Sequence, residues 1–238
     1  MRTEDARAGG LLERVGAASG AVYVGLLIVG GSMMTSGTTD TTRPTGEQAL
    51  SNLRHTAESG SAKVGLALAL LGFAALAVFL GYLHGVLRRA EGQQRSWLPT
   101  AAVFAGMSAL VIKWGSGSFV GAAILRKDEI SPDLARTLND LDSAAFWTSW
   151  LPYAVFVGLT AVVILRTGFV ARAFGWVGLV LGADGVATSA SVDLQISDFG
   201  AAPYLLSFFW VLALSGVLAI RGPRFAVDAL PPAVPVAA

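Results

Sequence analysis

The sequence predicts an all-α membrane protein: a bundle of six transmembrane helices with two short amphipathic helices on its outer face. Of its 238 residues, 54% are hydrophobic and only 14% are charged. Mean hydropathy is +0.62, and long charge-free runs recur along the chain. Soluble domains carry about a quarter charged residues, and disordered chains combine low hydrophobicity with high net charge. The composition therefore excludes both of these classes.

The apolar runs divide the chain into a polar N-terminal segment at 1–14, a membrane domain at 15–220 and a tail at 221–238. A membrane-spanning helix needs about 20 apolar residues. Runs of that length predict spans at Val15–Met34, Val64–Leu87, Leu98–Leu125, Ser143–Leu165, Gly175–Val192 and Ala201–Ile220. The first run exceeds the roughly 7–15 residues of a signal-peptide core, so we expect a membrane helix there. The tail contains Pro231 and Pro232, and we expect it to be disordered.

Arginine and lysine are distributed unevenly between the two sides of this topology. Ten arginines fall on the side of the termini: Arg2, Arg7, Arg14, Arg88, Arg89, Arg95, Arg166, Arg172, Arg221 and Arg224. The other side holds Arg43, Arg54, Lys63, Arg126, Lys127 and Arg136. Because basic residues are retained on the cytoplasmic side, we expect both termini to be cytoplasmic. The chain has 14 arginines against 3 lysines and is rich in Ala, Gly and Val, a bias typical of a GC-rich bacterial genome. We therefore expect a multi-pass protein of a bacterial inner, or plasma, membrane.

The two long outer loops carry helix-start signals. Ser131-Pro132-Asp133 is typical of an N-cap, a first-position proline and a first-turn acid, and it precedes an amphipathic helix that ends near Asp142. Thr45 and Gln48 match a capping box, followed by a weaker apolar stripe before Gly60. We expect each short helix to cover the outer ends of the spans, either as a packed lid or as a mobile gate.

Tryptophans near the predicted helix ends and two glycines in the first span have simple expected roles. Trp97, Trp147, Trp150 and Trp176 lie close to predicted helix ends, where tryptophan belongs to the interfacial belt. Gly16 and Gly20 in the first span are spaced for a close helix–helix contact through small residues.

Two charges interrupt the spans: Lys113 in the third and Asp184 in the fifth. Each costs about 2.5–3.5 kcal/mol in hydrocarbon unless it is compensated. Their depths are similar, so we expect an ion pair in the bundle interior. Thr188 and Ser191 share the Asp184 stripe, and Ser116 shares a small-residue face with Lys113. These five residues form the candidate intramembrane polar site, and the fifth span is expected to be the central helix.

Other chemistry has little support in the composition. Cysteine is absent, which removes thiol redox and thiolate metal chemistry, and the net charge of +1 gives no electrostatic footprint for nucleic acid. We expect no cofactor and no metal site. Ser116 and Lys113 have the spacing of a serine–lysine catalytic dyad, but this option has little support in the sequence.

The segment from Ser131 to about Ala187 carries a resemblance to a family. It contains a run from Leu138 to Phe146, then Pro152, Ala154-Val155-Phe156, Leu165-Arg166-Thr167-Gly168 and a run from Phe174 to Val180. It resembles multi-span membrane proteins of actinobacteria known only as a domain of unknown function. The resemblance implies a helical membrane bundle and supplies no catalytic residues. It covers about a quarter of the chain firmly and the rest in general pattern.

Three function classes follow. The favoured one is a non-enzymatic accessory, scaffold or sensor protein in the lipid bilayer, with a protein partner or a second copy of itself. It predicts a tightly packed bundle without a sizeable cavity. The second is a small transporter or channel using Lys113 and Asp184, which predicts a polar pathway. The third is an intramembrane enzyme acting on a lipid or isoprenoid with Asp184 as general acid, which predicts an apolar cavity open sideways to lipid with Asp184 at its wall.

Overall fold

The chain is a membrane helical bundle, as the sequence predicts. The computed structural model describes residues 2–38, 44–92, 96–193 and 202–222, without the side chains of residues 2–9 and 191–193. Eight helices lie in these ranges: α1 (Arg2–Thr35), α2 (Gly46–Glu58), α3 (Gly60–Glu91), α4 (Leu98–Leu125), α5 (Pro132–Thr148), α6 (Trp150–Thr167), α7 (Arg172–Asp193) and α8 (Ala202–Arg221). Six helical segments of the described chain are long and apolar enough to cross a membrane. The tail at 223–238, predicted to be disordered, lies outside the described residues.

Most of the helices that contain the predicted spans run beyond them. Helix α1 begins at Arg2, so the polar segment at 1–14 is largely a helical extension of the first span. Helix α4 has the predicted bounds, Leu98–Leu125. The predicted fourth span is divided between the end of α5 and most of α6, with Ser149 at the junction. Pro152 explains the break, because it has no N–H to donate to the carbonyl of Thr148 four residues earlier.

Helix α6 is the centre of the bundle. It packs against α3, α4, α5, α7 and α8, and Phe156, Val157, Val163 and Ile164 on it are fully buried. Helix α1 packs against α3 and α8, and α7 packs against α6 and α8. The expectation that the fifth span is central is therefore wrong: α7 packs its glycine face on α6 and leaves Trp176, Val177 and Val180 exposed.

Small residues set the closest approaches between helices. A Cβ added at Gly16 would lie 2.9 Å from the ring of Tyr82, and one added at Gly20 would lie 2.8 Å from the ring of Phe79. The predicted small-residue contact of α1 is thereby confirmed, with α3 as its partner. On the other side of α1, the Ser215 hydroxyl of α8 accepts from the Ala21 N–H at 2.8 Å and donates to the Ala17 carbonyl.

The two short helices form at the predicted N-caps and pack together at one end of the bundle. Thr45 caps α2, and its capping box with Gln48 is complete. The Ser131 side chain accepts from the Leu134 N–H at the start of α5. Ala49 and Leu50 of α2 and Ala135 of α5 form a small apolar core. Lys127 and Glu58 form a surface ion pair of 2.7 Å beside it. Helix α5 then continues past Asp142 to Thr148.

Candidate functional site

Lys113 lies in an aromatic environment in the second half of α4. Its ammonium is 3.2 Å from the ring centroid of Phe146 and 6.0 Å from that of Tyr204. An aromatic face attracts a cation through its quadrupole, and the attraction grows when the cation is desolvated. The rings of Phe146 and Tyr204 therefore contact the cation for which the sequence predicted Asp184 as partner, and the Asp142 carboxylate also attracts it.

The rings around Lys113 belong to a larger group, here called the aromatic cluster: Phe146, Trp147, Trp150, Tyr153, Tyr204 and Phe208. Trp150 and Tyr204 stack with centroids 4.6 Å apart and planes 8° from parallel. Because α5, α6 and α8 all contribute rings, the cluster joins three helices at the end of the bundle that carries α2 and α5.

Sequence reasoning missed this cluster because it assigned Trp147 and Trp150 to the membrane interface. Trp150 is only 3% exposed, and Trp147 packs against Phe146 and Trp150. The spacing of Phe146, Trp150 and Tyr153 at i, i+4 and i+7 is a signal that could have found it, since these positions share a helix face. Trp97 and Trp176 are exposed, as interfacial residues are expected to be.

Ser116 is buried one turn beyond Lys113. Its hydroxyl donates to the carbonyl of Lys113 at 2.9 Å. Such a bond to the preceding turn is an ordinary way for a membrane helix to satisfy a buried serine. The structure therefore places Ser116 beside the Lys113 backbone, with its proton committed to that backbone bond.

Asp184 is exposed on the surface of α7. The ion pairs among the described residues involve neither Lys113 nor Asp184, so the expected pair between them is not formed. Helix α6 explains this, because it presents Phe156 to α4 and Ala154 with Gly158 to α7. Similar depth along two helices does not bring two side chains together when a third helix packs against both.

Thr188 and Ser191 were expected to extend the polar stripe of Asp184. Thr188 is buried instead, and it lines a cavity of about 10 Å³ with Trp150, Tyr204 and Ser207. That volume holds about one water molecule. Trp150 lines the same cavity, and its buried indole N–H has no hydrogen-bond partner in the described part of the chain. The Ser191 side chain lies outside the described residues.

Lys113, Asp184 and the aromatic cluster supply the chemistry of this part of the bundle. Within the described ranges, no group of three or more His, Asp or Glu residues is arranged to hold a metal ion. Comparisons with protein-family models, curated proteins and solved structures find no match for this chain. What remains is a cation held on aromatic faces inside the bundle and a carboxylate on its lateral surface.

A lateral groove lies beside that carboxylate, between α7 and α8. It has a volume of about 400 Å³ and an almost wholly apolar lining: Ala173, Phe174, Val177 and Leu181 from α7, and Leu206, Phe209, Trp210 and Ala213 from α8. The Trp210 indole donates to the Phe174 carbonyl at 2.9 Å, which fixes the wall of the groove. Val177, Leu181 and Asp184 follow one another on one face of α7, so Asp184 lies about 4.5 Å beyond the end of the groove at 1.5 Å per residue.

Proposed function

We propose that this chain is a non-enzymatic accessory or scaffold protein that binds a partner transmembrane helix through the exposed face of α7. The observation that carries the proposal is the Asp184 carboxylate, which is exposed on α7 about 18 Å along a helix of about 33 Å. That places it near the middle of a hydrocarbon core of about 30 Å. The same residue was the sequence's candidate catalytic acid.

The energetic argument concerns what compensates the carboxylate. An intramembrane charge costs about 2.5–3.5 kcal/mol on insertion scales, and within the described chain no ion pair offsets that cost. A partner helix with a hydrogen-bond donor or a cation at this depth supplies the compensation. Its apolar side chains fit the lateral groove, which continues along the same face of α7.

The orientation and the membrane are part of the proposal. The arginine excess supports cytoplasmic termini in a bacterial plasma membrane. Arg89, paired with Glu13, and Arg166, paired with Glu91, lie at the end of the bundle opposite α2 and α5. The resemblance to actinobacterial membrane proteins stays a prediction.

Photo-crosslinking in cell membranes tests the association. A photoreactive residue replaces Val180 on α7, and the matched control replaces Val111 on α4, because the two are 65% and 63% exposed. We expect a discrete protein adduct from position 180 and only lipid adducts from position 111. An adduct of twice the chain mass identifies a second copy as the partner. Equal, lipid-only labelling at both positions would refute the proposal.

A lipid- or isoprenoid-modifying enzyme is the second candidate, because the lateral groove is apolar and open to the side beside Asp184. Two variants separate the candidates. Asp184→Asn keeps a hydrogen-bonding side chain and removes the acid, whereas Asp184→Ala removes both. Association predicts that the position-180 adduct persists in Asp184→Asn and disappears in Asp184→Ala; general-acid catalysis predicts equal loss of lipid turnover in both variants. The transporter alternative needs a polar site shared by Lys113 and Asp184, and the ion pairs among the described residues do not join these two side chains.

A further inference from the structure

A second pocket lies at the end of the bundle opposite α2 and α5. It has a volume of about 250 Å³ and lies between the N-terminal part of α1, Tyr82 of α3 and the last turn of α8. Its lining includes Gly10, Glu13, Arg14 and Arg221. In contrast to the lateral groove, this pocket has a largely polar lining, and we call it the arginine pocket.

The described residues that line the arginine pocket have a positive charge balance. Arg14 and Arg221 are both exposed, and among the described residues neither takes part in an ion pair. Among the described residues, the one acid in the lining is Glu13, and it is paired with Arg89 at 2.7 Å. Two guanidinium groups therefore remain for an anion, and the planar guanidinium fork binds phosphate oxygens through two parallel hydrogen bonds.

The walls that carry the two arginines are held together one to two turns away. The Tyr82 ring packs on Gly16, which fixes α1 against α3. Ser215 bonds to the backbone of α1 at Ala17 and Ala21, which fixes α8 against α1. The pocket is thus built on packed helices, so little additional ordering of the backbone is needed when an anion binds.

The position of the pocket along the spans points to lipid. Arg14 immediately precedes the first charge-free run and Arg221 ends α8, so both lie where an apolar span meets the headgroup region. Exposed apolar residues adjoin them: Val15 on α1, and Ile220 on α8, which is 85% exposed. We propose that the arginine pocket binds the phosphate of an anionic phospholipid, whose acyl chains lie along Val15 and Ile220.

This proposal is independent of the α7 association, because it concerns a different face and different residues. It agrees with the proposed orientation, since basic pockets between helices on the cytoplasmic side bind anionic headgroups. The chemistry recognised is a phosphate oxyanion, which a soluble phosphate also presents. The test therefore needs one arm for each source.

Native mass spectrometry of the purified full-length chain in detergent measures lipid binding directly. The probes are dioleoylphosphatidylglycerol, dioleoylphosphatidylcholine and inorganic phosphate. We expect retention of phosphatidylglycerol over phosphatidylcholine and a loss of about tenfold or more in phosphatidylglycerol affinity for the double variant Arg14→Gln/Arg221→Gln. The charge-matched control Arg88→Gln/Arg172→Gln removes two arginines that do not line the pocket, and it should bind like the parent chain.

Several results would overturn the proposal. They are equal binding of the two lipids, an unchanged affinity in the double variant, and an equal loss in the control. Displacement of phosphatidylglycerol by inorganic phosphate at similar concentrations would overturn the assignment to lipid. The variant Arg14→Lys/Arg221→Lys keeps both charges and loses the fork; we expect intermediate affinity, and it carries the test if the glutamine variant does not fold.

Discussion

A close backbone contact between α6 and α7 lets the packing of these two helices be tested one methyl group at a time. A Cβ added at Gly182 would lie 2.7 Å from the Cα of Gly158, 2.8 Å from its nitrogen and 3.0 Å from the Ala154 carbonyl oxygen. All three are backbone atoms, so no side chain can rotate to relieve the overlap. Gly182→Ala therefore forces α7 away from α6 and should destabilise the bundle.

The reciprocal substitution is the matched control. A Cβ added at Gly158 would lie 3.8 Å from the Cα of Gly182, which is an ordinary van der Waals distance. Both substitutions gain about 1 kcal/mol of helix propensity, so this gain cancels when the two variants are compared. The remaining difference is the cost of overpacking, about 1–3 kcal/mol. We expect Gly158→Ala to be neutral or stabilised and Gly182→Ala to be the less stable of the two.

Thermal unfolding in detergent, followed by circular dichroism and by recovery of the monodisperse peak, measures this difference. For chains of this size, 1 kcal/mol corresponds to roughly 2–4 °C in Tm. Gly182→Ala should therefore unfold at least a few degrees below Gly158→Ala. Equal midpoints, or a lower midpoint for Gly158→Ala, would show that the α6–α7 approach differs from the one described and would refute the reasoning.

Two further predictions concern Lys113 and the surface pair of α2. A double-mutant cycle of Lys113→Met with Phe146→Leu should give a coupling energy of about 1–2 kcal/mol. The control cycle of Lys113→Met with Phe156→Leu should give almost no coupling energy. Equal coupling energies in the two cycles would contradict the cation–π contact. The hydrogen bond from Lys127 lowers the pKa of the Glu58 carboxyl below its ordinary value. The ion pair therefore stabilises the fold at pH values above the ordinary pKa of a glutamate carboxyl. Its contribution is lost as the pH falls through the lowered pKa of Glu58. The measurement is Tm as a function of pH between about pH 6 and pH 2. Near pH 6, Lys127→Gln should have a lower Tm than the parent chain, and the two Tm values should converge as the pH falls. A constant difference in Tm across this range would refute the prediction.

Much of the fold follows from local signals that tertiary packing does not override. Thr45 with Gln48, and Ser131 with Pro132, start helices because they satisfy the free N–H groups of the first turn from within four residues. The α4 bounds follow from an apolar run between polar segments. The division at Ser149 was also readable from Pro152, yet the continuous apolar run from Ser143 concealed it.

The site depended on which faces of the helices meet, and periodicity alone does not specify that. Lys113 had two ways to be compensated, by a carboxylate or by aromatic faces. Asp184 matched it in depth, whereas Phe146 and Tyr204 lie on helices whose positions relative to α4 are set by the tertiary fold. Sequence reasoning therefore found the right cation and assigned it the wrong partner.

The faces that α7 presents to its neighbours show which interaction determined how this helix packs. This helix has one face of glycines, at Gly175, Gly178, Gly182 and Gly185, and another that carries Asp184. In lipid, burying apolar surface between helices gives little driving force, so the closest backbone approach dominates. The glycine face accordingly packs on α6, including Leu165, and on Trp210 of α8. The Asp184 carboxylate faces outward. Since Asp184 contributes nothing to this packing, Asp184→Ala should leave the Tm of the monomer in detergent unchanged or raised while it abolishes the α7 adduct. A loss of monomer stability in that variant would mean that the carboxylate holds the bundle itself together, and the association proposed for α7 would lose its basis.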